Sequence, residues 1–278
     1  MNKLKWIIED FSPDNGFDKL AKEVIKQGMD CELVNTNEYP IKMNLDRFSK
    51  EDEVLIQSSF QFADEILSHK DFKIGRFLTK NNYLCTKYYK YFGNYLFNSE
   101  YVIMTVKETE RNIDFLESIV GEKESGRIFI RPDSGLKPFS GMVFINRSPY
   151  FEQDWSYVRT NMKDDDLLII SSPKKILSEW RFVVIEGEVI TGSLYKLDYN
   201  VDFQQANSIK DKYLFDFAQK IANIYQPDPA FTLDIAVDIK GNLKLLELNS
   251  FSHAGLYVCD MEKVVSKISK LVIKLRKE

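Results

Sequence analysis

FTLDIAVDIKGNLKLLELNS, residues 231–250, reads as two strands joined by a tight turn. In the first strand Leu233, Ile235 and Val237 alternate with Thr232, Asp234 and Ala236, the period-two pattern of a β-strand. Asp238 to Asn242 has turn chemistry, and Gly241 takes a positive φ with no Cβ to clash. In the second strand Leu246 and Leu248 share one face, Glu247 and Asn249 the other. Ordinary pairing then brings Asp234, Glu247 and Asn249 to one oxygen-rich spot. Two carboxylates in an apolar β context need a cation or strong donors to compensate them. Hard oxygen ligands of this kind suit Mg²⁺, which keeps some waters and takes a substrate phosphate. The alternative is an amphipathic hairpin whose polar face is merely solvated.

Two earlier segments carry the remaining chemistry. EWRFVVIEGEVITGSLY (Glu179–Tyr195) is a second hairpin, with Trp180, Phe182 and Val184 on one face and Glu179 and Arg181 on the other. The planar fork of Arg181 suits a phosphate or the hairpin carboxylates, and a cross-strand salt bridge is the plainer reading. GRIFIRPDSGLKPFSGMVF (Gly126–Phe144) ends a strand at Arg131, turns through Pro132 to Leu136 and restarts at Lys137. Cations and free amides near Gly135 and Gly141 are placed to meet phosphate oxygens; the alternative is a polar hairpin with solvated cations. Between these two segments DLLIISS (Asp166–Ser172) is a strand whose end could present backbone groups to an adenine ring.

The first hundred residues alternate strand and helix signals. LKWII, a helix from Gly16 to Gln27 with Phe17, Leu20, Val24 and Ile25 on its apolar side, DCELVN, EVLIQSS and a helix through Phe60 to Ser68 suggest a small, mainly parallel α/β domain. Phe77 to Asn98 is an aromatic-rich connector, read as packing in preference to a base-stacking platform. From Tyr101 strands dominate, with helices near Asn112–Val120, Asp211–Tyr225 and Asp260–Leu275. The whole is α+β.

Composition excludes several classes. A net charge of −4 with interspersed lysines gives no basic field for nucleic acid. No apolar run is long enough to span a bilayer and no signal-peptide core follows the charged start. Three separated cysteines and two histidines argue against zinc, disulfide or histidine-rich metal sites. They point to a reducing, cytoplasmic setting. No P-loop, kinase signature or Ser-His-Asp or Cys-His arrangement is present.

Together these segments resemble the ATP-grasp superfamily. LDIAVDIKGNLKLLELN follows its Asp…Glu-x-Asn metal signature, with Asp234 and not Asp238 in the first position, because Asp238 falls in the turn. Arg131 and Lys137 in FIRPDSGLKPFSG, Arg181 in EWRFVV and the closing loop in ELNSFSHAGLY are similar to a phage- and bacteria-associated ATP-grasp clade recognised by two arginines and a lysine. The resemblance covers Tyr101 to Tyr257. It implies an ATP-grasp fold of two α+β lobes enclosing ATP, preceded by a small α/β domain. The corresponding boundaries are 1–98 (leading domain and aromatic connector), 99–165 (central lobe) and 166–278 (C-terminal lobe with the metal site). It further implies adenine near Ile170, Ser171 and Ser172, ribose at Glu179 and phosphates at Lys137 and Arg181. Asp234, Glu247 and Asn249 would hold Mg²⁺. Thr232 stands where many members have a basic residue two positions before the metal Asp; Arg131 or Arg181 could substitute.

The implied activity is an ADP-forming carboxylate–amine ligase acting through an acyl-phosphate, with Arg181, Lys137 and Arg131 stabilising the transferred phosphoryl group. Its substrates would be small-molecule or peptide carboxylates and amines, with no nucleic acid and no membrane involved. The alternatives are a small-molecule kinase and a non-catalytic nucleotide-binding module. The sequence leaves the oligomeric state open.

Overall fold

The computed structural model describes residues 4–275 except 13, 39–40, 42, 50–51, 70–71, 73–74 and 123–124. The chain forms two compact units, Met1–Thr79 with Ile176–Glu278, and Lys80–Lys175.

The first unit begins with β1 (Lys5–Asp10), α1 (Phe17–Lys26), β2 (Asp30–Asn35), β3 (Val54–Gln57) and α2 (Phe60–His69). β1 lies in the middle of a three-stranded sheet, parallel to β2 and β3, the parallel arrangement expected from the β-α-β order. α1 buries Phe17, Leu20, Ala21 and Val24, whereas Ile25, expected on the apolar side, is exposed.

The second unit contains α3 (Cys85–Phe92), β4 (Tyr101–Thr105), α4 (Val106–Arg111), α5 (Ile113–Val120), β5 (Ile128–Pro132), β6 (Met142–Phe144), α6 (Phe151–Asn161) and β7 (Leu167–Ser171). Its strands form an antiparallel sheet in the order β4-β7-β5-β6. Leu116, Ile130, Phe144, Trp155, Val158 and Ile170 share its core. Much of the aromatic connector is helical: Tyr88, Tyr89 and Phe92 lie on the buried side of α3, and Tyr88 meets both other rings edge-on. α6 was not expected, although Phe151, Trp155 and Val158 have helical spacing.

The chain then returns to the first unit with β8 (Ile176–Ile185), β9 (Glu188–Leu197), β10 (Asn200–Gln205), α7 (Lys212–Ile224), β11 (Ala230–Asp238), β12 (Leu243–Ser250) and α8 (Met261–Leu275). The five strands form an antiparallel sheet ordered β10-β9-β8-β11-β12. β8 and β9 are joined by Glu186-Gly187 with φ of 49° and 78°, the two left-handed residues of a tight hairpin turn. α7 covers the face that carries Phe182, and Phe215 of α7 packs edge-on against that ring. On the opposite face Val183, Ile185 and Ala230 join a core with Val264, Val265 and Ile268 of α8 and with Trp6, Ile8 and Leu55 of the parallel sheet. A single hydrophobic core therefore ties the first and last segments of the chain together.

Candidate functional site

The site grows out of that second face. Along β8, Ile185 and Val183 are core residues; continuing with the same period, Arg181 and Glu179 follow on the same side. On β11 the matching series is Ala230, Thr232 and Asp234, in register with Ile185, Val183 and Arg181. The face turns from apolar to charged within one pleat, with Thr232 at the border. β12 supplies Asn249 opposite Thr232 and Glu247 opposite Asp234. A bulge between Asp234 and Ile235 leaves Leu246 out of the register, so Leu245 and Leu248 are the buried leucines of this strand. The expected Leu246/Leu248 face is corrected accordingly: the bulge changes the phase of the strand while preserving the Glu247–Asn249 face.

Asp234 is fully buried and both its oxygens are held by one fork: Arg181 Nε donates to Oδ1 at 2.8 Å and Nη2 to Oδ2 at 2.7 Å. Such paired, charge-assisted bonds are the strong class. Arg181 Nη1 donates to the Gly255 carbonyl at 2.9 Å, and the guanidinium lies over the rings of Tyr195 and Tyr257, 5.5 and 5.1 Å from their centroids. Of the alternatives for Arg181, the hairpin carboxylate is the partner observed, and because the two residues are in register on β8 and β11 it is at the same time the cross-strand salt bridge of the plainer reading. Burial works against the Arg181 charge, but the adjacent Asp234 carboxylate prevails and holds the guanidinium pKa well above its ordinary range. Burial, then Asp234 and Glu179, raise the Tyr195 hydroxyl; burial raises Tyr257 against the opposing pull of Arg181.

Asn249 Nδ2 donates to Asp234 Oδ2 and to Glu247 Oε1, each at 3.2 Å. The three side chains are thus brought together as the hairpin pattern requires. Glu179 receives the Tyr195 hydroxyl at 2.7 Å and an ion pair from Lys196 at 3.1 Å. Asp238 caps its own turn, accepting from Lys240 and Asn242, and is remote from the carboxylate cluster in register.

Arg131, Lys137, Ile170, Ser171 and Ser172 belong to the second unit. Arg131 is buried on β5 in register with Ile169 of β7. Lys137 is half-buried in the loop between β5 and β6 and adopts a left-handed backbone, φ 47°. Ile170 and Ser171 are paired on both sides, to β4 and β5, and Ser172 follows the end of the strand.

The loop after β12 is tied down along its length. Gln57 Nε2 donates to the carbonyls of Phe251 and Ala254, at 2.8 and 3.0 Å. Ser58 N donates to the Ser252 carbonyl and Phe77 N to Ser252 Oγ. His253 Nδ1 meets the Ser58 carbonyl at 2.8 Å, and its ring lies against Phe60. The Asn15 carbonyl accepts from Leu256 N and Tyr257 N. The expected closing loop is a wall anchored to the turn between β1 and α1 and to the end of β3. Sequence reasoning gave no role to Tyr195, Phe203, Tyr257, Asn15 or Gly16; only the glycine, just ahead of a helical pattern, carried a local signal.

Comparison with known proteins comes to the same architecture. A family described as ATP-grasp domain, clade family 2, matches residues 109–266, more than half of the chain. The crystal structure of D-cycloserine synthetase DcsG is similar with a TM-score of 0.57 at 12% identity, covering 97% of this chain and 99% of that one. D-alanine–D-alanine ligase from Bacillus anthracis gives 0.56 at 13% identity, covering 100% and 99%. D-alanyl-alanine synthetase A from Vibrio cholerae O1 biovar eltor gives 0.55 at 11% identity, covering 99% and 97%. No curated protein matches the chain in sequence. The fold is the ATP-grasp fold.

The fold family implies a divalent cation, and the donor set can be tested against that. Among the described residues no group of three or more His, Cys, Asp or Glu side chains could hold a metal by itself. Asp234, Glu247 and Asn249 offer two carboxylates and an amide, with the amide in hydrogen-bonding reach of both carboxylates. Magnesium is commonly bound by one or two carboxylates with waters and substrate phosphates, not by a closed protein cage. The set fits that mode. No described helix is long and apolar enough to cross a membrane.

Proposed function

This chain belongs to the ATP-grasp domain family, and from that membership we propose that it is an ATP-dependent ligase joining a carboxylate to an amine. The observation that carries the proposal is the register of Asp234 with Glu247 and the Asn249 amide in contact with both. When bound there, Mg²⁺ would neutralise charge on the phosphates of ATP. Asp234, Glu247 and Asn249 would hold it, and Lys137 and Arg131 are proposed for the phosphoryl group, while Arg181, whose fork is taken by Asp234, is proposed to act there by orienting that carboxylate. Ile170, Ser171 and Ser172 are proposed for adenine and Glu179 for ribose.

The work left to the protein is positioning and electrostatics, since in-line phosphoryl transfer to a carboxylate needs no side-chain nucleophile. Arg181 holds the Asp234 carboxylate in a fixed orientation, while the anchored wall from Phe251 to Tyr257 limits water access to the acyl-phosphate. An amine then attacks the acyl carbon and phosphate departs. D-Alanine–D-alanine ligase and D-cycloserine synthetase, which share the fold, are named for D-alanine and D-cycloserine, in keeping with small-molecule or peptide substrates here.

Glu247 is the residue for the decisive test, because it is half-buried and does not carry the Arg181 fork. Glu247→Gln is expected to lower ADP release by about 10²-fold or more, measured over pairs of amino acids and short peptides with MgATP. Full turnover by this variant would sink the assignment. Hydroxylamine in the same assay traps an acyl-phosphate as a hydroxamate; ADP release with a phosphorylated acceptor in place of a hydroxamate would instead indicate transfer to a hydroxyl.

A further inference from the structure

Beside the carboxylates stands an aromatic wall that phosphoryl transfer does not use. Tyr195 of β9 and Tyr257, in the loop before α8, stack with centroids 5.0 Å apart and planes 18° apart. Phe203 of β10 continues the stack, 5.4 Å from Tyr257 with planes at 24°. Most ring pairs elsewhere, such as Phe48–Phe72, Tyr88–Phe92 and Phe144–Trp155, meet edge-on, here at 72°, 75° and 76°. Phe151–Trp155 is also parallel, at 3°, but lies in the core of the second unit, whereas this row runs out to an edge strand, where a parallel stack ends on a flat face. All three stacked rings are half-buried, not sealed in.

The inner end of the row is joined to the site. The Tyr195 hydroxyl donates to Glu179, and Arg181 covers both tyrosine rings on one side. The setting of Tyr257 is imposed from a distance. Its φ of 53° is left-handed, a conformation that a bulky side chain adopts only when its surroundings enforce it. The enforcing group is the turn between β1 and α1. The Asn15 carbonyl accepts from Leu256 N at 2.7 Å and Tyr257 N at 3.0 Å. Gly16, at φ 79°, lies so close that a Cβ there would come 2.3 Å from the Tyr257 carbonyl oxygen. Strained backbone held this firmly is characteristic of ligand sites.

Two of the carboxylates around the wall carry their own cations. Asp234 is paired with Arg181 and Glu179 with Lys196, and Arg181 occupies the cation–π side of the tyrosines. A flat, uncharged group suits the outer face better than a second cation.

We propose that the outer face of Phe203, with Tyr257 and Tyr195 stacked behind it, forms a subsite for the planar side chain of an aromatic amino acid carried by the amine substrate, and that the Asn15–Gly16 turn positions the stack. Naming that occupant as a substrate rests on the ligase reading; the existence of the subsite does not. A nucleobase shares the same planarity, so the test separates the two.

The full chain is titrated with phenylalaninamide, alaninamide and adenosine, by calorimetry and saturation-transfer NMR. Saturable binding of phenylalaninamide is expected, with alaninamide weaker by about tenfold or more. Phe203→Ala, on an edge strand, and Gly16→Ala, outside the stack, should each weaken phenylalaninamide by about tenfold, with circular dichroism verifying that both variants fold. Absence of saturable phenylalaninamide binding overturns the proposal, as does binding undiminished in folded Phe203→Ala. Adenosine that binds more tightly and is lost in the same variants overturns it in favour of a nucleobase site. MgATP is titrated alongside: if it fails to bind while phenylalaninamide still does, the ligase reading fails and the subsite stands.

Discussion

Asp234 and Arg181 are each other's main support. Asp234 is fully buried, and the Arg181 side chain is almost so. Removing one partner of such a pair leaves the other charge buried and uncompensated, a loss of about 3–5 kcal/mol. Asp234→Asn should therefore lower stability by about that amount, read as a fall in the urea midpoint, even before nucleotide is considered. A midpoint within error of wild type would show that Arg181 finds another counter-charge, such as Glu179, to which Tyr195 is already bonded. This coupling also limits what activity data mean: loss of turnover in an Asp234 variant mixes a missing ligand with a damaged fold. The identity of the two carboxylates and the amide was legible in the sequence, because alternation and a glycine turn place them. The partner of Arg181 was left open among a phosphate, the hairpin carboxylates and a cross-strand salt bridge, since the register of β8 against β11 cannot be read from either strand alone.

At the scale of elements, hairpins and most helices followed from periodicity and turn residues. The exceptions have physical causes. The β12 bulge sets Leu246 aside, which a strict period of two does not anticipate. β10 is an edge strand with exposed Val201 and a polar sequence, so it lacks the apolar alternation of a half-buried strand. The loop from Phe251 to Tyr257 owes its conformation to other segments, above all to Gln57, which spans the Phe251 and Ala254 carbonyls. Gln57→Leu keeps the volume but leaves both buried carbonyls without that donor, at about 1–3 kcal/mol. The Leu256 and Tyr257 amides, which donate to Asn15, should then lose hydrogen-exchange protection while the β8–β9 hairpin keeps its own. Unchanged exchange at these two amides would mean that Asn15 and the remaining anchors hold the loop without Gln57.

For the whole molecule, the α+β class was legible, but the partner of each buried face was not. A pattern such as Leu4, Trp6 and Ile8 announces that one side of a strand is covered; it does not name the cover. Here the cover is α8 at the far end of the chain, through Val264, Val265 and Ile268. The two units consequently differ in kind. Lys80–Lys175 is one continuous segment with its own antiparallel sheet and a core around Trp155, Phe144 and Ile130. The other unit needs both Met1–Thr79 and Ile176–Glu278. A segment as short as the first is marginal even with a complete core, and cut off alone it would expose Trp6, Leu20 and Leu55 to water. Residues 80–175 expressed alone should therefore give dispersed amide resonances and a cooperative thermal transition, whereas residues 1–79 alone should give neither. Mixing 1–79 with 176–278 should restore dispersion, because the shared core reforms only when α8 meets the parallel sheet. Independent folding of 1–79 would contradict the shared core as the source of its stability, and the heat-capacity change on mixing gives the matching measure of the apolar surface that the two segments bury in each other.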